Sequence, residues 1–237
     1  MSKIKVLGIS GSPIDTSNTD ILIQTILDAT GLKAELIKLA NIEVKPCRHC
    51  RKCTYTNECV IEDDFKWLSQ KVMEADGIVL GSPTIYGLPS SFMNSFNERL
   101  YSKRHVKLLL KGKIGAAVAI GWMGQDFVCQ HLQKMLQMSG IEVLGGVTAN
   151  GTPGCFVCGP GETCMHSIWN SAKIMENITG QATGVENIYE GYLEELPDND
   201  PFVKPSYKIL GYISVKDQPE KMEEAKRIGK LIGEKLQ

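Results

Sequence analysis

The 237-residue sequence predicts an α/β fold, a doubly wound five-stranded parallel sheet with a cysteine-rich loop and a C-terminal extension. Three observations predict it. Five short apolar or β-branched runs alternate with amphipathic helical patterns, as in successive βαβ units with right-handed crossovers. Three of these runs end in loops rich in Gly, Ser, Thr and Pro, at the strand ends where open α/β sheets bind ligands. Four of the eight cysteines fall within thirteen residues, between the second and third runs.

The first strand is expected over residues 3–10 (KIKVLGIS). It runs straight into Gly11-Ser12-Pro13-Ile14-Asp15-Thr16-Ser17-Asn18-Thr19, and a helix begins near Asn18 that carries Ile21, Leu22, Thr25, Ile26 and Ala29 inward. Strand, hydroxyl-rich loop and helix together make a phosphate cradle, because helix N-terminal N–H groups and Ser/Thr hydroxyls can surround a dianion. The loop has neither a Gly-Lys-Ser/Thr sequence nor the three-glycine dinucleotide turn. A plain N-cap at Ser17 or Asn18 explains it equally well.

The second strand is expected over 34–39 and a helix over 63–75. A third, buried strand over 77–82 ends in Ser82-Pro83-Thr84-Ile85-Tyr86-Gly87-Leu88-Pro89-Ser90, a ligand-loop candidate, or else an ordinary turn feeding a helix over 91–101. The fourth strand, 113–121, ends at Gly121-Trp122-Met123-Gly124-Gln125-Asp126, a third loop on the same edge, before a helix over 127–139 and a fifth strand over 142–148. Beyond Asn150 a second Gly/Cys segment leads to a helix over 163–179. Residues 181–205 are polar and turn-rich, 208–215 reads as a late strand, and 219–236 as an amphipathic helix. The expected organisation is one domain over 1–180, with the cysteine loop at 46–60, and an extension over 181–237 serving oligomer contacts.

Within the loop, Cys47, Cys50, Cys53 and Cys59 are spaced C-x2-C-x2-C-x5-C. Four thiolates converging from one compact loop suit an iron–sulfur cubane. Zinc also takes four cysteines, but usually from two separated C-x2-C pairs. Disulfides suit small secreted domains, and this chain is neither small nor visibly secreted. Lys45, Arg48, His49, Arg51 and Lys52 interleave with the cysteines. They offset thiolate charge, or form a docking patch for an acidic electron donor such as ferredoxin. Cys155, Cys158 and Cys164 repeat the x2, x5 gaps but lack a fourth cysteine. With His166 they read as a second metal site, a redox pair or a structural loop. Cys129, Trp67 and Trp169 read as packing residues, and His105 and His131 as ordinary helix residues.

A net charge of −1, with 43% hydrophobic and 22% charged residues, implies no bulk attraction to nucleic acid or membrane. The start of the sequence has no long apolar run before a small-residue cleavage site, so no signal peptide or membrane span is expected and a cytoplasmic setting is. No catalytic acid or base can be named.

The Gly-Ser-Pro…Thr-Ser-Asn-Thr loop and Ser-Pro-Thr-Ile-Tyr-Gly together resemble the flavodoxin-like NADPH-dependent FMN reductase superfamily. With the four-cysteine loop added, the chain resembles the iron–sulfur flavoproteins over about residues 1–180. The resemblance implies FMN, with its phosphate on Ser10, Ser12, Ser17, Asn18 and Thr19 and with Pro13 also in the cofactor site. It implies the isoalloxazine against Pro83, Thr84, Ile85, Tyr86 and Gly87, with Gly121 and Trp122 nearby. It further implies a 4Fe–4S cluster on Cys47, Cys50, Cys53 and Cys59, and a homodimer or homotetramer. Ile14 stands where many relatives carry a basic residue. The expected function is electron transfer between a one-electron donor such as ferredoxin, the cluster, FMN and a small-molecule acceptor. The alternatives are an NAD(P)H-dependent FMN or quinone reductase, a small-molecule flavin dehydrogenase, and a zinc- or disulfide-stapled flavin-binding module.

Overall fold

The computed structural model describes residues 5–152 and 213–237. The described chain up to Asn150 packs with Ser214–Gln237 as one compact unit. Its elements are β1 (Val6–Ser10), α1 (Asn18–Ala29), β2 (Ala34–Lys38), α2 (Phe65–Glu74), β3 (Gly77–Ile85), β4 (Leu88–Pro89), α3 (Ser91–Leu100), β5 (Ile114–Gly121), α4 (Gln125–Met138) and β6 (Glu142–Asn150). The last described helix is α5 (Pro219–Leu236).

The sheet order is β2-β1-β3-β5-β6, with all four pairings parallel and β4 folded back on β3. With the two-residue β4 set aside this is the 2-1-3-4-5 order of flavodoxin-like sheets. The winding direction reverses between β1 and β3, so the ligand crevice of such a sheet lies beyond the carboxyl ends of those strands.

Period-2 alternation divides the core. Leu7 and Ile9 of β1, Ile78 and Leu80 of β3, and Ala117 and Ala119 of β5 face α2, α3 and α4. Val6, Val79, Ala116 and Val118 face α1 and α5. Burial on both faces explains why β1 and β5 read as unbroken apolar runs.

Several boundaries differ from expectation. β3 continues past Ser82 to Ile85, because Pro83 sits in register with Ile120 and β4 closes a hairpin over Thr84 and Ile85. The inward face of α1 includes Ile23 and Leu27, both fully buried, while Ile21 and Thr25 are half-buried. Trp67 is not core: it is exposed on α2, and its Nε1–H donates to Asp64. Cys129 is buried, as expected of a packing residue.

The helix at 219–236, grouped by sequence with the extension, is part of the sheet unit. Ala225, Ile228 and Ile232 are fully buried beside α1. An added Cβ at Gly229 or Gly233 would lie 2.3 Å from the carbonyl oxygens of Ile26 and Thr30, so two glycines one turn apart let α5 touch the α1 backbone. Each buried Ile there contributes about 2 kcal/mol. The late strand expected over 208–215 lies mostly outside the described residues. Of its described residues, 213–215, none is in a strand, and Val215 opens a 3-10 turn over Val215–Asp217. The segment of Cys155, Cys158, Cys164 and His166, the helix over 163–179 and Trp169 lie outside the described residues as well. No described helix is long and apolar enough to cross a membrane.

Candidate functional site

Three loops meet at the carboxyl edge of the sheet. The first joins β1 to α1. Ser17 caps α1: its Oγ accepts from the Asp20 N–H at 3.2 Å, and Asp20 Oδ2 accepts from the Ser17 N–H at 3.0 Å. The Asp20 carboxylate also takes the Ser10 hydroxyl at 2.5 Å and Lys38 Nζ at 2.6 Å, and Lys38 donates again to the Ile14 carbonyl. The loop coils on itself, with the Ser12 N–H on Ser10 Oγ and the Ile14 N–H on Ser12 Oγ.

The predicted phosphate residues therefore divide. Ser10, Ser12, Ser17, Asn18 and Thr19 are buried, and Pro13 is exposed. The Ser10 side chain is occupied by Asp20, and Asn18 Oδ1 accepts the Val215 N–H. The N-terminal turn of α1 at Asn18 and Thr19, with the positive end of the helix dipole, suits an anion. The sequence reading missed Asp20 and Lys38. Lys38, at the end of β2 and 24 positions from Ile14, offsets the Asp20 carboxylate and ties down the Ile14 carbonyl.

The second loop is the β3–β4 hairpin. Tyr86 and Gly87 turn it with φ of +50° and +77°, the sign pattern of a two-residue type I′ turn. The Tyr86 side chain is fully exposed, and Ile85 and Leu88 are exposed beside it. Ser90 ties this hairpin to the first loop. Its hydroxyl donates to the Gly11 carbonyl at 2.7 Å, and its N–H donates to Ser82 Oγ at 2.9 Å.

The third loop follows β5. An added Cβ at Gly121 would lie 2.6 Å from Thr84 Oγ1, so only glycine lets β5 pass so close to the hairpin. Gly124 lies against Gly87. Thr84, Gly87, Gly121 and Gly124 are thus brought together. Trp122 is half-buried on this loop. Among the described residues Thr84 Oγ1 and Gln125 Oε1 are buried without a hydrogen-bond partner, although Gln125 Nε2 donates to Asn150. Two orphaned polar atoms beside close-packed glycines fit the hydrogen-bonding edge of a planar ligand. From sequence Gln125 belongs to this third loop but carries no assigned role; in the structure it opens α4.

The cysteine loop is seated on α3. Its mouth is closed by Asp63, which accepts the Lys45 N–H at 2.9 Å and the Phe65 N–H at 3.1 Å. Arg99 of α3 holds both ends. Its Nη1 and Nη2 donate to Asp63 at 2.6 and 2.9 Å, to the Lys45 carbonyl at 2.8 Å and to the Ile61 carbonyl at 3.3 Å. Its Nε donates to Cys59 Sγ at 3.1 Å, and its guanidinium lies 4.7 Å over the Phe65 ring. Further along the loop the Cys47 N–H donates to Glu98. Asn57, buried between Cys53 and Cys59, bonds Ser102 and Lys107 through their backbone groups.

The four thiols are unbridged; Cys47 and Cys50 are exposed, Cys53 and Cys59 half-buried. Among the described residues no three His, Cys, Asp or Glu side chains are gathered as a metal site. The thiols do feel one another: burial raises the Cys53 thiol, and Cys59, Cys47 and Cys50 add to the rise. The donor chemistry fits a soft-metal group, since four cysteines share one loop braced by α3. Cys50 opens onto a cleft of about 450 Å3 lined by Lys45, Arg48, Lys52 and Glu62. Arg48, His49, Arg51 and Lys52 are all exposed.

Backbone strain falls in the same places. The non-glycine residues with positive φ among those described are Thr16, His49, Arg51, Asn57 and Tyr86. Thr16 is in the first loop, Tyr86 in the hairpin turn and the rest in the cysteine loop. Such conformations cost on the order of 1–3 kcal/mol and cluster at functional sites.

Comparison with known proteins gives three kinds of likeness. The family model for NADPH-dependent FMN reductase matches residues 4–152. An iron–sulfur flavoprotein of Methanocaldococcus jannaschii is 36% identical over 148 residues, 60% of this chain and 76% of that one. An iron–sulfur flavoprotein of Methanosarcina thermophila is 30% identical over 148 residues, 60% of this chain and 78% of that one. Among solved structures, RosB with a bound 8-demethyl-8-formylriboflavin-5'-phosphate intermediate superposes with a TM-score of 0.53 at 18% identity, over 83% of this chain and 89% of that one. A flavone reductase superposes with a TM-score of 0.54 at 18% identity, over 98% of this chain and 63% of that one. These two structural likenesses speak for the fold alone.

Proposed function

The chain belongs to the NADPH-dependent FMN reductase family and, within it, to the iron–sulfur flavoproteins, and from that premise we propose a specific redox role. The protein binds FMN at the carboxyl edge of the sheet and one 4Fe–4S cluster on Cys47, Cys50, Cys53 and Cys59. It carries electrons between a one-electron donor such as a ferredoxin and a small-molecule acceptor. When bound, FMN supplies storage for one or two electrons and the cluster passes them singly.

The chain's own residues hold and orient. Ser12, Ser17 and the first-turn N–H groups of α1 would take the phosphate, with Pro13, Ser10, Asn18 and Thr19 shaping the cradle. Thr84 and Gln125 would meet the polar edge of the ring, beside Pro83, Ile85, Tyr86, Gly87, Gly121 and Trp122. The exposed Arg48 and Lys52, lining the cleft at Cys50, and the exposed Arg51 between them in sequence supply a positive face for an acidic donor.

The observation that carries the reading is the pair of orphaned buried atoms, Thr84 Oγ1 and Gln125 Oε1, beside the Gly87–Gly124 contact at the β3 and β5 ends. Extracting the cofactor from anaerobically purified protein and weighing it tests the proposal. FMN is expected, with a flavin spectrum overlying broad thiolate-to-iron absorption. FAD, or no flavin after reconstitution, would contradict it. Fast flavin reduction by NAD(P)H, with none by reduced ferredoxin, would replace the donor.

A further inference from the structure

We infer that Arg99 is a positioning residue that sets the reduction potential of the cluster through its Nε–H···Sγ bond to Cys59. The inference rests on the cluster reading above, and deepens it. Arg99 is 1% exposed, and its side chain and that of Asp63 are both fully removed from solvent. A cation is costly to bury, and in the loop base it is matched by one carboxylate, two carbonyls and one cysteine sulfur. The arrangement is directional. Asp63 engages the Nη1/Nη2 end of the guanidinium, while Nε faces Cys59. The sulfur therefore sees the positive end of an ion pair, with the negative end beyond it.

An N–H donor to a cluster sulfur stabilises added negative charge and favours the reduced state. Arginine stays protonated at any working pH, so the donor is always present. The opposed ends of the pair give opposite expectations. Removing the donor should lower the potential. Removing the Asp63 charge behind it should raise the potential, because the guanidinium charge is then less compensated. A purely structural brace would not separate the two: loosening the loop from either side would shift the potential the same way or release iron.

The test is an anaerobic potentiometric titration of the cluster, followed by electron paramagnetic resonance, in wild type, Arg99→Gln, Arg99→Lys and Asp63→Asn. Iron, labile sulfide and FMN are counted in each sample. Arg99→Gln should shift the reduced-to-oxidised ratio at a fixed potential about tenfold towards oxidised, which is 59 mV for a one-electron couple. Asp63→Asn should shift it severalfold the other way. Arg99→Lys, which keeps the charge but cannot span Asp63 and Cys59 together, should fall with Arg99→Gln. A cluster of full iron content whose potential is unchanged, or moves in the same direction in Arg99→Gln and Asp63→Asn, overturns the inference. If both Arg99 variants fail to fold, Asp63→Asn still decides, and an unchanged or lowered potential overturns it. Wild-type protein with FMN but no iron and sulfide defeats the cluster reading itself, a result distinct from either.

Discussion

Lys38 Nζ lies 2.6 Å from Asp20 Oδ2 at the first turn of α1, with both side chains largely withdrawn from solvent. An unpaired carboxylate there would oppose a bound dianion. Lys38→Met should therefore weaken FMN binding by on the order of 1–2 kcal/mol, roughly tenfold. Adding Asp20→Asn should recover most of the loss, because the charge left behind is the cause. Titrating FMN into flavin-free protein and following fluorescence quenching measures both. Wild-type affinity in Lys38→Met, or no recovery in the double variant, would refute the pairing.

Asp63 carries a pH dependence. Burial alone would raise its carboxyl, but the Arg99 fork and the Lys45 and Phe65 N–H groups together hold it below its usual value. A carboxyl depressed in the folded state stabilises above its unfolded pKa of about 3.9, and that contribution is lost as pH falls through the folded pKa. Asp63→Asn should lose roughly 3–5 kcal/mol at pH 7. Its stability should also fall less steeply than that of wild type below about pH 4. Urea unfolding followed by circular dichroism from pH 7 down to about pH 3 gives both numbers. Parallel acid limbs in the two proteins would rule out a depressed Asp63.

At the ring site, Thr84→Val removes a hydroxyl that has no partner among the described residues. Stability of that protein should hold or rise by up to about 1 kcal/mol, while FMN affinity falls by about the same amount, some fivefold. Thermal unfolding and flavin titration separate the two effects. Lost stability with unchanged flavin affinity would mean that the hydroxyl serves the fold.

Much of this was legible in the sequence. Periodicity located every described α-helix and the five main strands to within a few residues, and C-x2-C-x2-C-x5-C marked the cysteine loop. What escaped was contact between distant positions. Arg99 looks like one more polar residue on an amphipathic helix; its burial appears only once the chain from Lys45 to Asp63 folds over α3. Lys38 reads as the polar face of a strand until β2 is laid beside β1 in parallel register. The α5 assignment had a readable signal, Gly229 and Gly233 one turn apart, which let two backbones meet. The β3–β4 hairpin was hidden by Pro83 and Pro89, which look like strand breakers but sit inside the pairing.

Donor docking should depend on charge. Neutralising Arg48, Arg51 and Lys52 together should slow reduction by a ferredoxin most at low salt, where exposed charges are least screened. Stopped-flow reduction across a salt series, with the cluster potential measured alongside, checks this. A rate that follows only the potential, or no change at all, would remove the docking role.

The central claim is one FMN and one four-thiolate cluster per chain. Iron, acid-labile sulfide and flavin counted together in anaerobically purified protein test it most directly, in wild type, Cys53→Ala and Cys155→Ala. About four irons and four sulfides per FMN are expected in wild type, the content of one cubane. Most of both should be lost in Cys53→Ala with FMN retained, and neither in Cys155→Ala. Zinc in place of iron would contradict the account. So would about eight irons per FMN, falling by half in Cys155→Ala, which would mean two cubanes.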